Sequence, residues 1–190
     1  MKNKLSIFDI DDTLFHTTAQ IAVVKNGSPI RSLTNQEYNT HSLRPNETYD
    51  FSEFCDSEKF YTESRPIKRM FSEAKRVLNN PNNTVMLLTA RGDFDNKERF
   101  LDTFRKYDFD IDKVRVERAG KILDMDCPAK KKYLIIYNQL KSKPCDTISL
   151  YDDSIRNLKE FLKLKSIFPN SKFMAYLVKP CGNFIQFNGV

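Results

Sequence analysis

The stretch Leu5-Ser6-Ile7-Phe8-Asp9-Ile10-Asp11-Asp12-Thr13 decides the reading of this chain. Residues 5–10 form an apolar run that reads as a short buried strand. The run breaks at carboxylates two positions apart, Asp9 and Asp11, followed by the Thr13 hydroxyl. Side chains at i and i+2 of an extended segment point to the same side. Such a pair can hold a divalent cation and still leave one carboxylate free to attack phosphorus.

Two further apolar runs end in the same manner. Residues 84–88 lead into Thr89-Ala90-Arg91-Gly92-Asp93, and residues 147–151 lead into Asp152-Asp153. A continuous apolar run suits a parallel strand covered on both faces. Helical spacing appears between them. Pro66 is expected to open a helix that buries Ile67, Met70, Phe71, Ala74, Val77 and Leu78 and stops at Asn79-Asn80-Pro81. Residues 94–107 are amphipathic through Phe100, Leu101 and Phe104, and 114–116 read as a weak strand. Pro128 begins a helix carrying Leu134, Ile135, Ile136 and Leu140. Ile155, Leu158, Phe161 and Leu162 form the apolar face of the next helix, and 173–178 the last strand. Asn26-Gly27 between two β-prone runs predicts a hairpin over 21–33, and 34–64 read as short helices and loops. Strand and helix alternate, so the fold class is α/β with a mostly parallel sheet covered by helices. In such sheets ligands bind beyond the carboxyl ends of the strands. Asp9, Thr89 and Asp152 are therefore expected along one edge.

A chain of 190 residues suffices for one well-buried domain with a small insertion. The formal charge of +6, beside a site rich in carboxylates, places the basic residues elsewhere, where they can attract an anionic substrate. Cys55, Cys127, Cys145 and Cys181 form no C-x-x-C pair, which argues against zinc and suits a reducing compartment. No apolar run has membrane-spanning length. The expectation is a soluble, cytoplasmic protein without a membrane partner.

The chemistry follows from the residue types. Asp9 can attack a phosphoryl group and form an aspartyl-phosphate, dividing one hard displacement into two easier ones. That attack brings anion to anion, so a cation is needed, and Mg²⁺ prefers oxygen ligands. Asp9 and Asp152 are candidate ligands, with Asp11 and Asp153 beside them. Asp11 can protonate the leaving oxygen and then activate water, help worth roughly 10²–10⁴ in rate. Thr89 offers a hydroxyl and a backbone N–H to a phosphate oxygen. Lys130-Lys131-Lys132 is the natural source of a cation for the transferred group. Lys132 has Ile135, Ile136 and Leu140 at i+3, i+4 and i+8, so it belongs on the buried side of its helix; Lys131 is the second choice. Taken singly, each feature has an ordinary explanation as a turn, a helix cap or a solvated face. Their joint order along the chain is what points to function.

That order resembles the haloacid dehalogenase (HAD) superfamily of phosphohydrolases. The matching motifs are Asp9-Ile10-Asp11-Asp12-Thr13, the strand-ending Thr89, a helix lysine within Lys130–Lys132, and the strand-ending Asp152-Asp153. The resemblance implies a Rossmann-like core formed by 1–15 and 66–190, with 16–65 as a small cap insertion. It implies Mg²⁺, a nucleophile at Asp9 and acid/base work by Asp11. An acid at Asp11 favours phosphoryl chemistry over dehalogenation. Arg91, the acidic pair and the compact size look similar to the phosphatase half of phage-type polynucleotide kinase/phosphatases, and to stand-alone phage HAD proteins acting in a host cytoplasm. This makes Arg91, Thr13 and Lys131 candidate substrate-binding residues. It makes a phosphomonoester, on a nucleotide or a nucleic-acid 3′ end, the expected substrate.

Two other classes are weighed against this. Phospho-acceptor receiver modules use the same residue types, but with the acidic pair first and the acceptor aspartate mid-chain; here Asp-x-Asp comes first. A nucleic-acid-binding protein on a HAD scaffold would bind in a salt-dependent way without turnover. Phe51, Phe54, Phe60 and Tyr61, beside Lys68, Arg69, Lys75 and Arg76, could stack bases, although a small core for the insertion is the simpler use of those rings.

Overall fold

The chain opens on β1 (Lys4–Phe8), whose last four residues are buried. The computed structural model describes residues 3–38, 40–122, 125 and 127–189. After the acidic loop, β2 (Phe15–His16) leads to β3 (Ile21–Lys25) and β4 (Ser28–Leu33). Asn26 and Gly27 join these two at φ of 50° and 81°, the left-handed pair a two-residue hairpin turn requires. Next come α1 (Asn35–Tyr38), β5 (Glu47–Asp50), α2 (Ser57–Glu63) and β6 (Arg65–Pro66). Four α/β units then follow. They comprise α3 (Lys68–Leu78) with β7 (Asn83–Thr89), and α4 (Lys97–Arg105) with β8 (Arg115–Arg118). They continue with α5 (Pro128–Ser142) and β9 (Thr147–Asp152), then α6 (Ile155–Leu162) and β10 (Lys172–Val178). β11 (Phe184–Phe187) closes the chain.

The main sheet has the order β11-β10-β9-β1-β7-β8, with every neighbouring pair parallel except β10 and β11. β1 is central, in register with β7 on one side (Phe8↔Leu87) and β9 on the other (Phe8↔Tyr151). The chain builds outward from β1 through β7 and β8, then returns to lay β9 and β10 on the opposite flank. The strand order therefore reverses between β1 and β9, the place where open α/β sheets form ligand crevices.

Period-two alternation sorts the core onto two faces. Phe8, Val85, Leu87 and Tyr151 pack toward α3 and α4, together with Phe71, Phe100 and Phe104. Leu5, Ile7, Met86, Leu88, Ile148 and Leu150 pack toward α5 and α6, with Ile136, Leu140, Leu158 and Phe161. On the first face, Tyr151 is stacked between Phe8 and Tyr176, at centroid distances of 4.5 and 4.6 Å. β3, β4 and β5 form a separate antiparallel sheet with a small core of its own: Ala19, Ile21, Val23, Leu33 and Phe54.

The α/β class and the mostly parallel sheet agree with the sequence expectation, and four local differences have physical reasons. The third helix starts at Lys68 rather than at Pro66, because Pro66 pairs with Phe15 across β2 and β6, and the Ile67 N–H donates to the Leu14 carbonyl at 2.8 Å. Ile155 is 47 % exposed, not part of the apolar face of α6. β5 lies in the stretch expected to hold only helices and loops, and β11 was not expected at all. Both are four residues long; β5 is mostly polar and carries little apolar signal, while β11, Phe-Ile-Gln-Phe, is apolar but too short for its period to mark it as a strand.

One contact fixes the loop after β7. Gly120 N–H donates to the Arg91 carbonyl at 3.1 Å. A Cβ at Gly120 would stand 2.6 Å from the Ala90 oxygen, the Arg91 oxygen and the Gly92 nitrogen. Backbone must move to admit it. Gly120→Ala is expected to destabilise the protein by about 1–3 kcal/mol, the usual range for overpacking, measured by denaturant unfolding.

Candidate functional site

Three strand ends and one helix meet at the reversal point. Asp9 follows β1, Asp152 ends β9 and Asp153 follows it, and Thr89 ends β7. The register that pairs Phe8 with Tyr151 sets Asp9 beside Asp152. Pro128 at the start of α5 is well placed, since its missing N–H would have had no partner there. One turn in, Lys132 is 2 % exposed and reaches back into the carboxylates. Its Nζ donates to Asp9 Oδ1 at 2.7 Å and to Asp152 Oδ2 at 2.8 Å. Lys131 is half-buried and Lys130 exposed, and neither has an ion-pair partner among the described residues.

The two aspartates after β9 have different surroundings. Asp152 is fully buried and its oxygens are saturated: Ser154 N–H donates to Oδ1 at 2.9 Å, and Asn157 Nδ2 donates to both, at 2.9 and 3.0 Å. Asp153 is half-buried and accepts no hydrogen bond among the described residues. Oxygens of Asp9, Asp152 and Asp153 can be chosen that all lie within 4.8 Å of one another. Two of these three carboxylates thus share one ammonium, with the third close beside them. Burial raises the pKa of Asp9 to about 7, with Asp152 and Asp11 adding to the rise against the pull of Lys132. Burial, Asp152 and Asp9 push Asp153 well above the ordinary carboxylate value. Burial alone would lower the Lys132 ammonium, but Asp152 and Asp9 more than offset it and hold the lysine protonated. The cluster carries an excess of negative charge that a divalent cation would neutralise, and hard carboxylate oxygens suit Mg²⁺ or a similar ion.

Asp11 stands outside that cluster. Its carboxylate is taken in a fork by Arg91, with Nε to Oδ2 at 2.9 Å and Nη2 to Oδ1 at 2.7 Å. Arg91, expected at the substrate, is 3 % exposed and spent on protein contacts. Thr13 and Thr89 are likewise buried. The Thr89 hydroxyl accepts the Arg91 backbone N–H at 3.1 Å, and the Thr13 hydroxyl has no partner among the described residues.

Asp12 adopts a left-handed φ of 55° and turns its carboxylate to Asn35 Nδ2, 3.1 Å away on α1. Asn35 and Asn157 are the site residues that sequence reasoning missed. Asn157 sits one turn into α6, four residues after Asp153, and a search for polar side chains at helical spacing from the acidic pair would have found it. Asn35 comes from a stretch without periodicity, and no local signal marks it.

No family model matches the chain, and no curated protein matches it.

The shifted carboxylates make stability depend on pH. Asp9 ordinarily titrates near 3.8 and in the fold near about 7, so between these values the folded state binds more protons than the unfolded one. Stability then falls as pH rises through that window. Without divalent metal, the thermal midpoint is expected to drop from about pH 5 to about pH 8, and Asp9→Asn to flatten the drop. Added Mg²⁺ is expected to raise the midpoint more at the higher pH. Differential scanning calorimetry at several pH values checks all three.

Proposed function

We propose that this chain is a Mg²⁺-dependent phosphomonoesterase of the HAD type, with a Rossmann-like core and residues 16–65 as a small cap. The observation that carries the reading is the convergence of Asp9, Asp152, Asp153 and Lys132 at the sheet's reversal point, from three segments separated in sequence. A lone acidic cluster would say little. A buried lysine bridging two strand-ending carboxylates, with a third that accepts no hydrogen bond among the described residues, is a costly arrangement that a fold does not need for its own sake.

In this reading Asp9 is the nucleophile. Lys132 holds its Oδ1, and the other oxygen attacks phosphorus as the bond to the leaving oxygen breaks. Asp11 supplies the proton to that leaving oxygen. It then takes a proton from the water that attacks the aspartyl-phosphate, the bond to Asp9 breaks, and inorganic phosphate leaves. Lys132 and the Thr89 hydroxyl face the charge that develops on the transferred group. Asp9 and Asp153 would hold the metal, which when bound offsets the repulsion between carboxylates and phosphate. Asp152 is committed to fixing Lys132 and to Asn157, so its place is one step behind. Lys131, half-buried and without an ion-pair partner among the described residues, is a candidate for contact with the substrate.

A nucleotide or a nucleic-acid 3′-phosphate is the substrate class we favour. Its support is the net charge of +6 and the likeness of the motifs to polynucleotide phosphatases. The reading is tested by Mg²⁺-dependent phosphate release from 3′- and 5′-phosphorylated oligonucleotides, mononucleotides and sugar phosphates. Asp9→Asn is expected to abolish release while retaining the fold, and normal turnover in that variant sinks the mechanism. Lys132→Ala is expected to slow release by at least ~100-fold, the scale of losing one preorganised charge at the reacting group. Lys130→Ala, at an exposed position, is expected to leave the rate within about twofold.

A further inference from the structure

We infer that Arg91 is the positioning residue for Asp11, and that residues 16–65 must be seated for it to do this work. The inference rests on the phosphatase reading above and assigns Arg91 a task that reading leaves open.

The geometry of Arg91 is unusual for a basic residue beside an anion site. A guanidinium presents five N–H donors in a rigid fork. Two of its donors go to the Asp11 carboxylate: Nη2 to Oδ1 at 2.7 Å, and Nε shared between Oδ2 at 2.9 Å and Oδ1 at 3.3 Å. Nη1 donates to the Phe54 carbonyl at 2.9 Å, and Nη2 also donates to Thr17 Oγ1 at 3.2 Å. The ring centroids of Phe54 and Phe60 lie 5.0 and 4.5 Å from its central carbon. Its side chain is 1 % exposed, against 13 % for Asp11. Four of its five donors are therefore filled by protein, and little of the group is open to a ligand. Asp11 is the member of the pair that faces outward.

Two consequences follow. First, the fork sets both the plane and the direction of the Asp11 carboxylate, and Oδ2, which accepts only from Nε, keeps a further lone pair for a proton. A group that must meet a leaving oxygen within hydrogen-bond reach benefits from being held in this way. Second, the contacts that hold Arg91 come from two sources. Its backbone belongs to the loop after β7, where the N–H rests on Thr89 and Gly120 leans on the carbonyl. Its guanidinium is held by Thr17, Phe54 and Phe60, all between residues 16 and 65. If that segment lifts, Arg91 loses those contacts and the anchor for Asp11 loosens.

The test separates positioning from substrate binding and from general damage. Wild type, Arg91→Lys, Arg91→Met and Phe54→Leu are compared with Mg²⁺ on two esters: an alkyl phosphate, whose poor leaving group needs a proton, and an activated aryl phosphate, whose leaving group departs without one. Arg91→Met retains apolar bulk against the two rings, and Arg91→Lys retains charge without the fork; folding is verified by calorimetry. Positioning predicts that kcat on the alkyl ester falls ~100-fold in both Arg91 variants, within the range expected for general acid help. The aryl ester is expected to lose less than about threefold, with KM within about twofold on both esters. Phe54→Leu is expected to show the same ester dependence in milder form. A raised KM with unchanged kcat would make Arg91 a substrate ligand and overturn the inference. Equal loss on both esters in folded variants would overturn it too. Arg91 variants that behave as predicted, beside a Phe54→Leu variant with wild-type ratios, would overturn the link to residues 16–65. Absence of turnover by the wild type on both esters overturns the phosphatase reading itself, and the inference with it.

Discussion

The ammonium of Lys132, held between Asp9 and Asp152, is the contact on which the rest of this molecule's site depends. β1 and β9 are neighbours, and each ends in a carboxylate. Without a cation between them the two charges would repel in a setting where water is scarce, and removing one partner from a buried pair leaves the other uncompensated. The lysine has to arrive from outside the sheet, and α5 delivers it from the face covered by Ile136 and Leu140. Its position is thus over-determined. The helix is anchored by its apolar stripe, and the charged tip is anchored by the strands.

The loop between β1 and β2 shows how local strain is made to serve this arrangement. Asp12 takes a left-handed conformation that ordinary side chains avoid. The turn is closed by Asp12 N–H to the Phe15 carbonyl at 2.7 Å, and by Leu14 and Phe15 N–H to the Ile10 carbonyl at 2.9 Å. Phe15 then plugs into an aromatic pocket, with Phe60, Phe71 and Phe104 at 4.9–5.2 Å. An apolar anchor three residues beyond the strained position holds the loop in register, so Asp9 and Asp11 can leave the strand in different directions. One enters the carboxylate cluster and the other meets Arg91.

Much of this was legible from residue order. Asp9, Thr89 and Asp152 each stand at the end of an apolar run, and strand ends at the carboxyl edge of a parallel sheet lie close together whatever the loops do. Lys132 was legible because Ile135, Ile136 and Leu140 fix its helix face. The division of labour between Asp152 and Asp153 was not, since adjacent residues share every sequence signal, and the partners that separate them, Asn157 and Ser154, act through three-dimensional contacts. Arg91 was misplaced for a related reason. A basic residue after a strand-ending threonine beside carboxylates reads as a ligand for an anion. What turns it inward is Phe54, Phe60 and Thr17, which belong to the stretch with the weakest periodicity in the chain.

The outermost strand of the main sheet bears on how the molecule behaves among copies of itself. β8 is four residues long, Arg-Val-Glu-Arg, and among the described residues no strand of the sheet pairs with its other side. Arg115 and Glu117 pair with each other along it, and Arg115 also donates to Gln139 on α5 at 2.7 Å. An unpaired strand edge is a template for any extended peptide, and short length with charge of both signs is how natural sheets blunt that hazard. The alternating charges that made β8 a faint strand in the sequence are thus of the kind that discourages another chain from adding to an open sheet edge.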